Sequence, residues 1–139
     1  MRGALAILLC GLGGLLASCA QIELSPVGNP ERVVVGTVDT GREGALPADA
    51  VVVVRVVDAS NPAAPPQVLG SQTIRSPGVA PIAFRVEYRA EDDLLRQGLN
   101  IEARVSYDGR VQFYNVSKHL LALSNATQPH RVAVVPIHS

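Results

Sequence analysis

The most specific chemistry in this chain sits in four consecutive residues, Leu16-Ala17-Ser18-Cys19. They follow a positive residue at Arg2 and an apolar run from Ala4 to Leu16 that only Gly and Cys10 interrupt. An apolar residue, two small residues and then a cysteine form the order a bacterial lipoprotein signal requires. The small side chains let a peptidase reach the Ser18–Cys19 bond. The Cys19 thiol is the side chain there that can take a thioether-linked diacylglycerol, with an N-acyl chain added once its amine is freed. The apolar run is too short, and wrongly flanked, for a stable membrane span. An ordinary secretory signal with a chance cysteine is the competing reading.

On the lipoprotein reading, residues 1–18 are a removed signal peptide and residues 19–31 are the lipidated Cys19 and a flexible tether. The rest, 32–139, is the folded domain. Two or three acyl chains, at roughly 0.8 kcal/mol per buried methylene, anchor far more firmly than one. Ala20, in place of the Asp that retains enteric lipoproteins in the inner membrane, favours the outer membrane. The expected place is therefore the bacterial cell envelope, at the periplasmic face of the outer membrane. Cleavage removes Arg2 and Cys10, which leaves Cys19 as the only cysteine and one net negative charge. That rules out a disulfide framework or cysteine metal site, and a near-neutral chain with scattered Arg does not suit nucleic acid.

No catalytic constellation assembles from the remaining reactive residues. His119, His130 and His138 lack metal-ligand spacing and read as surface residues. Glu91-Asp92-Asp93 has no alternating oxygen-ligand loop around it and reads as a solvated turn or helix start. No Gly-x-Ser-x-Gly elbow or phosphate-cradling loop occurs. Asn115 and Asn125 head glycosylation sequons that a bacterial lipoprotein would not normally use. No metal and no cofactor beyond the lipid on Cys19 is expected, and no enzyme.

The elements behind these residues are strands. Residues 51–58 hold six Val in their first seven positions, a run biased to a pleated sheet. Pro47 fixes φ before it, and Asp49 can accept nearby backbone N–H groups to close the turn. Residues 32–39, with Gly36 marking a bulge or close backbone approach, 67–74, 81–88, 99–107, 110–116 and 131–137 supply the other strands. Ile82, Phe84, Val86 and Tyr88 alternate cleanly with Ala83, Arg85 and Glu87. Asp108-Gly109 is a tight hairpin turn, and Val111 and Phe113 after it share a face. Residues 90–98 form one or two helical turns stopped by Gly98, and Leu120, Leu121 and Leu123 plug one end of the core. The fold class is all-β, a single β-sandwich of about seven strands, with an up-and-down barrel as competitor.

In the Val-rich strand, Val52, Val54 and Val56 point inward. Val51, Val53 and Val57 share the other face with Arg55, where either a loop covers them or they form a binding surface. Tyr114, opposite Phe113 in its strand, is the best exposed aromatic. Val51, Val53, Val57 and Tyr114 are the candidate partner surface.

The chain resembles the YbaY/YscW-type lipoprotein family, which includes pilotin-like chaperones of type III secretion. The resemblance runs from about Val33 to Ile137. It rests on Val35-Gly36-Thr37-Val38, Arg42, Ala45-Leu46-Pro47-Ala48-Asp49-Ala50 with the Val strand, and Asp58-Ala59-Ser60. Further matches are Pro81-Ile82-Ala83-Phe84 leading to Tyr88, Ala103-Arg104-Val105 and Asp108-Gly109-Arg110. It implies a compact envelope β-sandwich on a lipid anchor. In the pilotin branch, such a protein binds a secretin subunit and escorts it to the outer membrane. The expected function is then a non-enzymatic lipoprotein held to the membrane by its anchor, binding a secretin or another envelope protein. An envelope module for a glycan or small molecule, or an enzyme without a recognisable motif, is the alternative.

Overall fold

A computed structural model describes residues 31–137. In order, the elements are β1 (Glu31–Asp39), β2 (Val51–Asp58), β3 (Gln67–Arg75), β4 (Ile82–Arg89), α1 (Asp92–Gln97), β5 (Leu99–Tyr107), β6 (Arg110–Tyr114), β7 (Leu120–Leu121), β8 (His130–Ala133) and β9 (Val135–Pro136). One sheet has the order β4-β1-β8. The other runs β3-β2-β5-β6-β9, with β7 alongside β5. The chain is thus nearly all β, and the two sheets form a sandwich of nine strands among the described residues.

Alternation dictates what lies between the sheets. Every even position of β4 from Ile82 to Tyr88 is buried and every odd one exposed. They meet Val52, Val54 and Val56 of β2 and Ile101, Ala103 and Val105 of β5. Each such aliphatic side chain contributes about 1.5–3 kcal/mol when fully buried. Leu95 of α1 closes one end of the core, and Gly98 ends the helix at a φ of 96°. Asp108 and Gly109 both have positive φ, as the hairpin turn between β5 and β6 demands.

β1 and β8 run parallel, which places Gly36 directly beside His130. A Cβ at Gly36 would collide with the His130 carbonyl oxygen and lie 2.9 Å from the Phe84 ring. The close backbone approach expected of Gly36 is therefore present. At the far end of this pairing, an Arg131–Asp39 ion pair ties the two strands. That guanidinium bond first, and the Gly41 N–H second, hold the Asp39 carboxyl below the usual carboxylate range.

Several expectations need correction. The stretch 131–137 is not one strand: β8 joins the first sheet and β9 the second, and the chain crosses between them at Val134. Val111 and Phe113 do not share a face. The register shifts between Val105 and Ser106, so Phe113 opposes buried Val105 while Val111 opposes Ser106. Of the three leucines, Leu121 alone plugs the core; Leu120 and Leu123 are exposed. Asp49 does not close its own turn, which the Ala50 N–H closes by donating to the Pro47 carbonyl at 3.0 Å.

Candidate functional site

The outer face of the larger sheet collects most of the candidate surface. Across one row, Thr73 of β3, Val53 of β2, Arg104 of β5 and Tyr114 of β6 lie side by side, and Tyr114 neighbours Val135 of β9. In the next row Arg75, Val51 and Ser106 are neighbours. Val51 and Val53 are half-buried and Tyr114 is 40% exposed. The register thus brings three of the four candidates onto one surface.

Val57 does not belong to it. It is 0% exposed, although alternation from Val51 and Val53 points it outward. The pairing with β3 shifts between Val56 and Val57, so that Val56 opposes Gly70 and Val57 opposes Val68. The extra residue of this shift, Leu69, lies in β3, while β2 stays in register with β5. Val57 therefore keeps its outward direction and is covered there, outside the core cluster between the sheets. On its other side Val57 is beside Asn100, whose side-chain oxygen accepts the His119 N–H at 2.7 Å and draws the following segment across this end of the sheet.

The charge on this face has a clear sign. Arg55 and Glu102, cross-strand neighbours, form a partly buried ion pair that uses the central carboxylate. Arg75, Arg104 and Lys118 have no ion-pair partner among the described residues. A shallow groove of about 250 Å³ runs between Glu102, Arg104, Tyr114, Val116 and Lys118. Exposed apolar carbons flanked by unpaired cations suit an amphipathic segment carrying carboxylates. The groove offers a single aromatic ring, Tyr114, where stacking on a sugar would use several.

Asn115 and Asn125 are built into the framework. Asn115 extends the ladder beyond β6: its side-chain oxygen accepts the Ala103 N–H at 2.8 Å and its amide donates to the Ile101 carbonyl at 2.8 Å. Asn125 accepts the Ala122 N–H at 2.8 Å and donates to the Leu120 carbonyl at 3.1 Å.

The structure also brings together two histidines that the sequence keeps apart. His119 Nε2 lies 2.9 Å from His130 Nδ1, and His130 Nε2 lies 3.0 Å from the Asn125 carbonyl oxygen. A carbonyl only accepts, so His130 carries its proton on Nε2 and receives the His119 Nε2–H at Nδ1. Both are thereby corrected from surface residues to a linked pair, with His130 only 7% exposed. Burial first, and the facing His130 second, hold the His119 imidazole below the ordinary histidine range. Their job is mechanical, since both His130 nitrogens are engaged in fixing the β7–β8 connection. Among the described residues, no three His, Cys, Asp or Glu side chains converge as a metal site. Ser18, Cys19 and His138 lie outside the described residues.

Comparison with known proteins gives two matches of different kinds. No curated protein matches the chain. Among solved structures, an alternative pilotin from the type II secretion system of Vibrio cholerae shares the fold, with a TM-score of 0.66 and 23% identity over 79% of this chain and 100% of that one. The family model for the type III secretion system lipoprotein chaperone YscW matches residues 29–134. That span takes in every strand from β1 to β8, the outer sheet face with Val51, Val53 and Tyr114, and the paired histidines. On this match the chain belongs to the YscW family of type III secretion system lipoprotein chaperones.

Proposed function

We infer that this chain is a lipid-anchored, non-enzymatic envelope protein that binds and escorts a secretin-type partner, with the outer face of the larger sheet as its docking surface. Family membership supports the chaperone role. The single structural observation that carries the choice of surface is the row Val53, Arg104, Tyr114 and Val135, apolar and cationic together on one face. The partner segment carries apolar side chains for Val53 and Tyr114 and carboxylates for Arg104, Arg75 and Lys118. Cys19 takes the lipid, cleavage falls between Ser18 and Cys19, and the protein sits on the periplasmic face of the outer membrane.

The test is a photo-crosslinking amino acid placed at Tyr114 in the full chain, followed by recovery of adducts from envelopes. An adduct with a secretin or another envelope protein, lost on Arg104→Glu, supports the reading. Adducts equally frequent from a site on β4, such as Ala83, would count against this face. Palmitate labelling that disappears in Cys19→Ala tests the anchor separately.

A further inference from the structure

A second exposed apolar feature lies at the end of the sandwich where β1 begins. Arg32, the second residue of β1, donates from Nε to the Ala90 carbonyl at 2.7 Å and forms an ion pair with Asp92 at the start of α1. At the other end of α1, the Leu123 N–H donates to the Leu95 carbonyl at 3.3 Å. Leu120 packs so close to Gly98 that a Cβ there would meet its Cδ1 at 2.8 Å. Leu120 is 58% exposed and Leu123 is 38% exposed, with the fully buried Leu121 between them.

These leucines are held out, not left loose. Leu121 is pinned in the core opposite Leu99. The Asn125 amide bridges Ala122 and Leu120, and the His119–His130 bond clamps the segment at its root. A rigid connection that shows two leucines to water loses the benefit of burying them, unless something covers them in use.

We propose that this end of the sandwich rests on the bilayer, with Leu120 and Leu123 entering the interfacial region. The proposal rests on the lipid anchor at Cys19 assigned above. Residues 20–30 join that anchor to β1 at this same end. Their number limits the reach to roughly 40 Å. The leucines are therefore held near the membrane at an effective concentration around the millimolar range, where a weak contact suffices. Charge does not drive the contact. Arg32 and Arg96, the cations on α1 and beside it, are engaged by Asp92 and Asp93. A zwitterionic surface is therefore the appropriate probe.

The experiment uses lipidated protein reconstituted on phosphatidylcholine–phosphatidylethanolamine vesicles. An environment-sensitive fluorophore sits at Ser124→Cys or, at the opposite end, at Arg110→Cys. The expected result is a blue shift and severalfold stronger quenching by spin-labelled lipid at 124 than at 110. Both effects at 124 should disappear in the Leu120→Ser/Leu123→Ser variant, which stays vesicle-bound through its anchor. Equal quenching at the two positions overturns the proposal, as does quenching at 124 that survives the double substitution. A photo-crosslinker at 124 that captures a protein instead of lipid in envelopes also overturns it. If protein made in cells carries no lipid, the anchor reading fails by itself. Coupling a synthetic lipid to Cys19 then still reports which end faces the bilayer.

Discussion

The carboxylate of Asp49 accepts the backbone N–H of Asp108 at 3.2 Å, joining the turn before β2 to the turn between β5 and β6. Around it, the Leu46 N–H donates to the Gly78 carbonyl at 2.8 Å and the Ser76 N–H to the Ala50 carbonyl at 3.0 Å. Three connections therefore meet at the Leu46-Pro47-Ala48-Asp49-Ala50 element. Asp49→Ala should cost about 1 kcal/mol, the usual worth of one such hydrogen bond, while Asp49→Asn keeps an acceptor and should cost less. Urea midpoints read at constant m check the pair.

Gly36 has no room for a methyl group, because the His130 carbonyl and the Phe84 ring occupy it. Gly36→Ala should destabilise by about 1–3 kcal/mol or more, since backbone must move to relieve the clash. Thermal melts of this variant against Gly41→Ala would separate crowding from backbone effects. Gly41 has open space around it but a φ of 72°.

The histidine pair predicts an acid-side loss of stability. Because the folded-state value of His119 lies below its unfolded one, the unfolded chain binds the proton more readily. The contribution is fully present above the unfolded value of about 6.5. It is lost as pH falls from there toward the folded value, then levels off. Denaturation midpoints between pH 7 and pH 5 should fall in the parent and fall less in His119→Gln. An unchanged slope in that variant would remove the histidine pair as the cause.

Tyr88 is buried in the core, and its hydroxyl has no hydrogen-bond partner among the described residues. Burial pushes its phenol up from the ordinary tyrosine range, with Arg32 opposing. Removing an unpartnered buried hydroxyl relieves a desolvation cost, so Tyr88→Phe should leave stability unchanged or raise it by up to about 1 kcal/mol. A loss of more than that in a melt would mean that the hydroxyl is bonded in solution.

Val57 and Val53 provide a test of how far the outer face of β2 is covered. Val57→Ala empties a buried site and should cost about 1–3 kcal/mol, while Val53→Ala on the half-exposed face should cost less than 1 kcal/mol. Equal losses would mean that the two side chains are equally packed.

What could be read from the residues was whatever local pattern controls. The alternation of Ile82 to Tyr88, the helix stop at Gly98 and the Asp108-Gly109 turn each depend on neighbours a few positions away. Features set by register were out of reach. The shift between Val56 and Val57 depends on where Gly70 falls on the adjacent strand, and nothing in the Val run announces it. His119 and His130 meet because β8 lies parallel to β1 while His119 is held against Asn100 of β5. The candidate face was legible as Val51, Val53 and Tyr114. The cations beside them emerged only when β3 and β5 were placed on either side of β2.

The placement of β1 at the centre of its sheet also bears on the order of folding. The first strand made finds one neighbour at residues 82–89 and the other at 130–133. The smaller sheet therefore cannot be completed until almost the whole chain has been synthesised. Folds dominated by such long-range pairing are slow to form, because loop closure precedes the contacts that reward it. For a polypeptide proposed to be threaded across a membrane before it folds, late closure lengthens the time in which translocation can outrun folding.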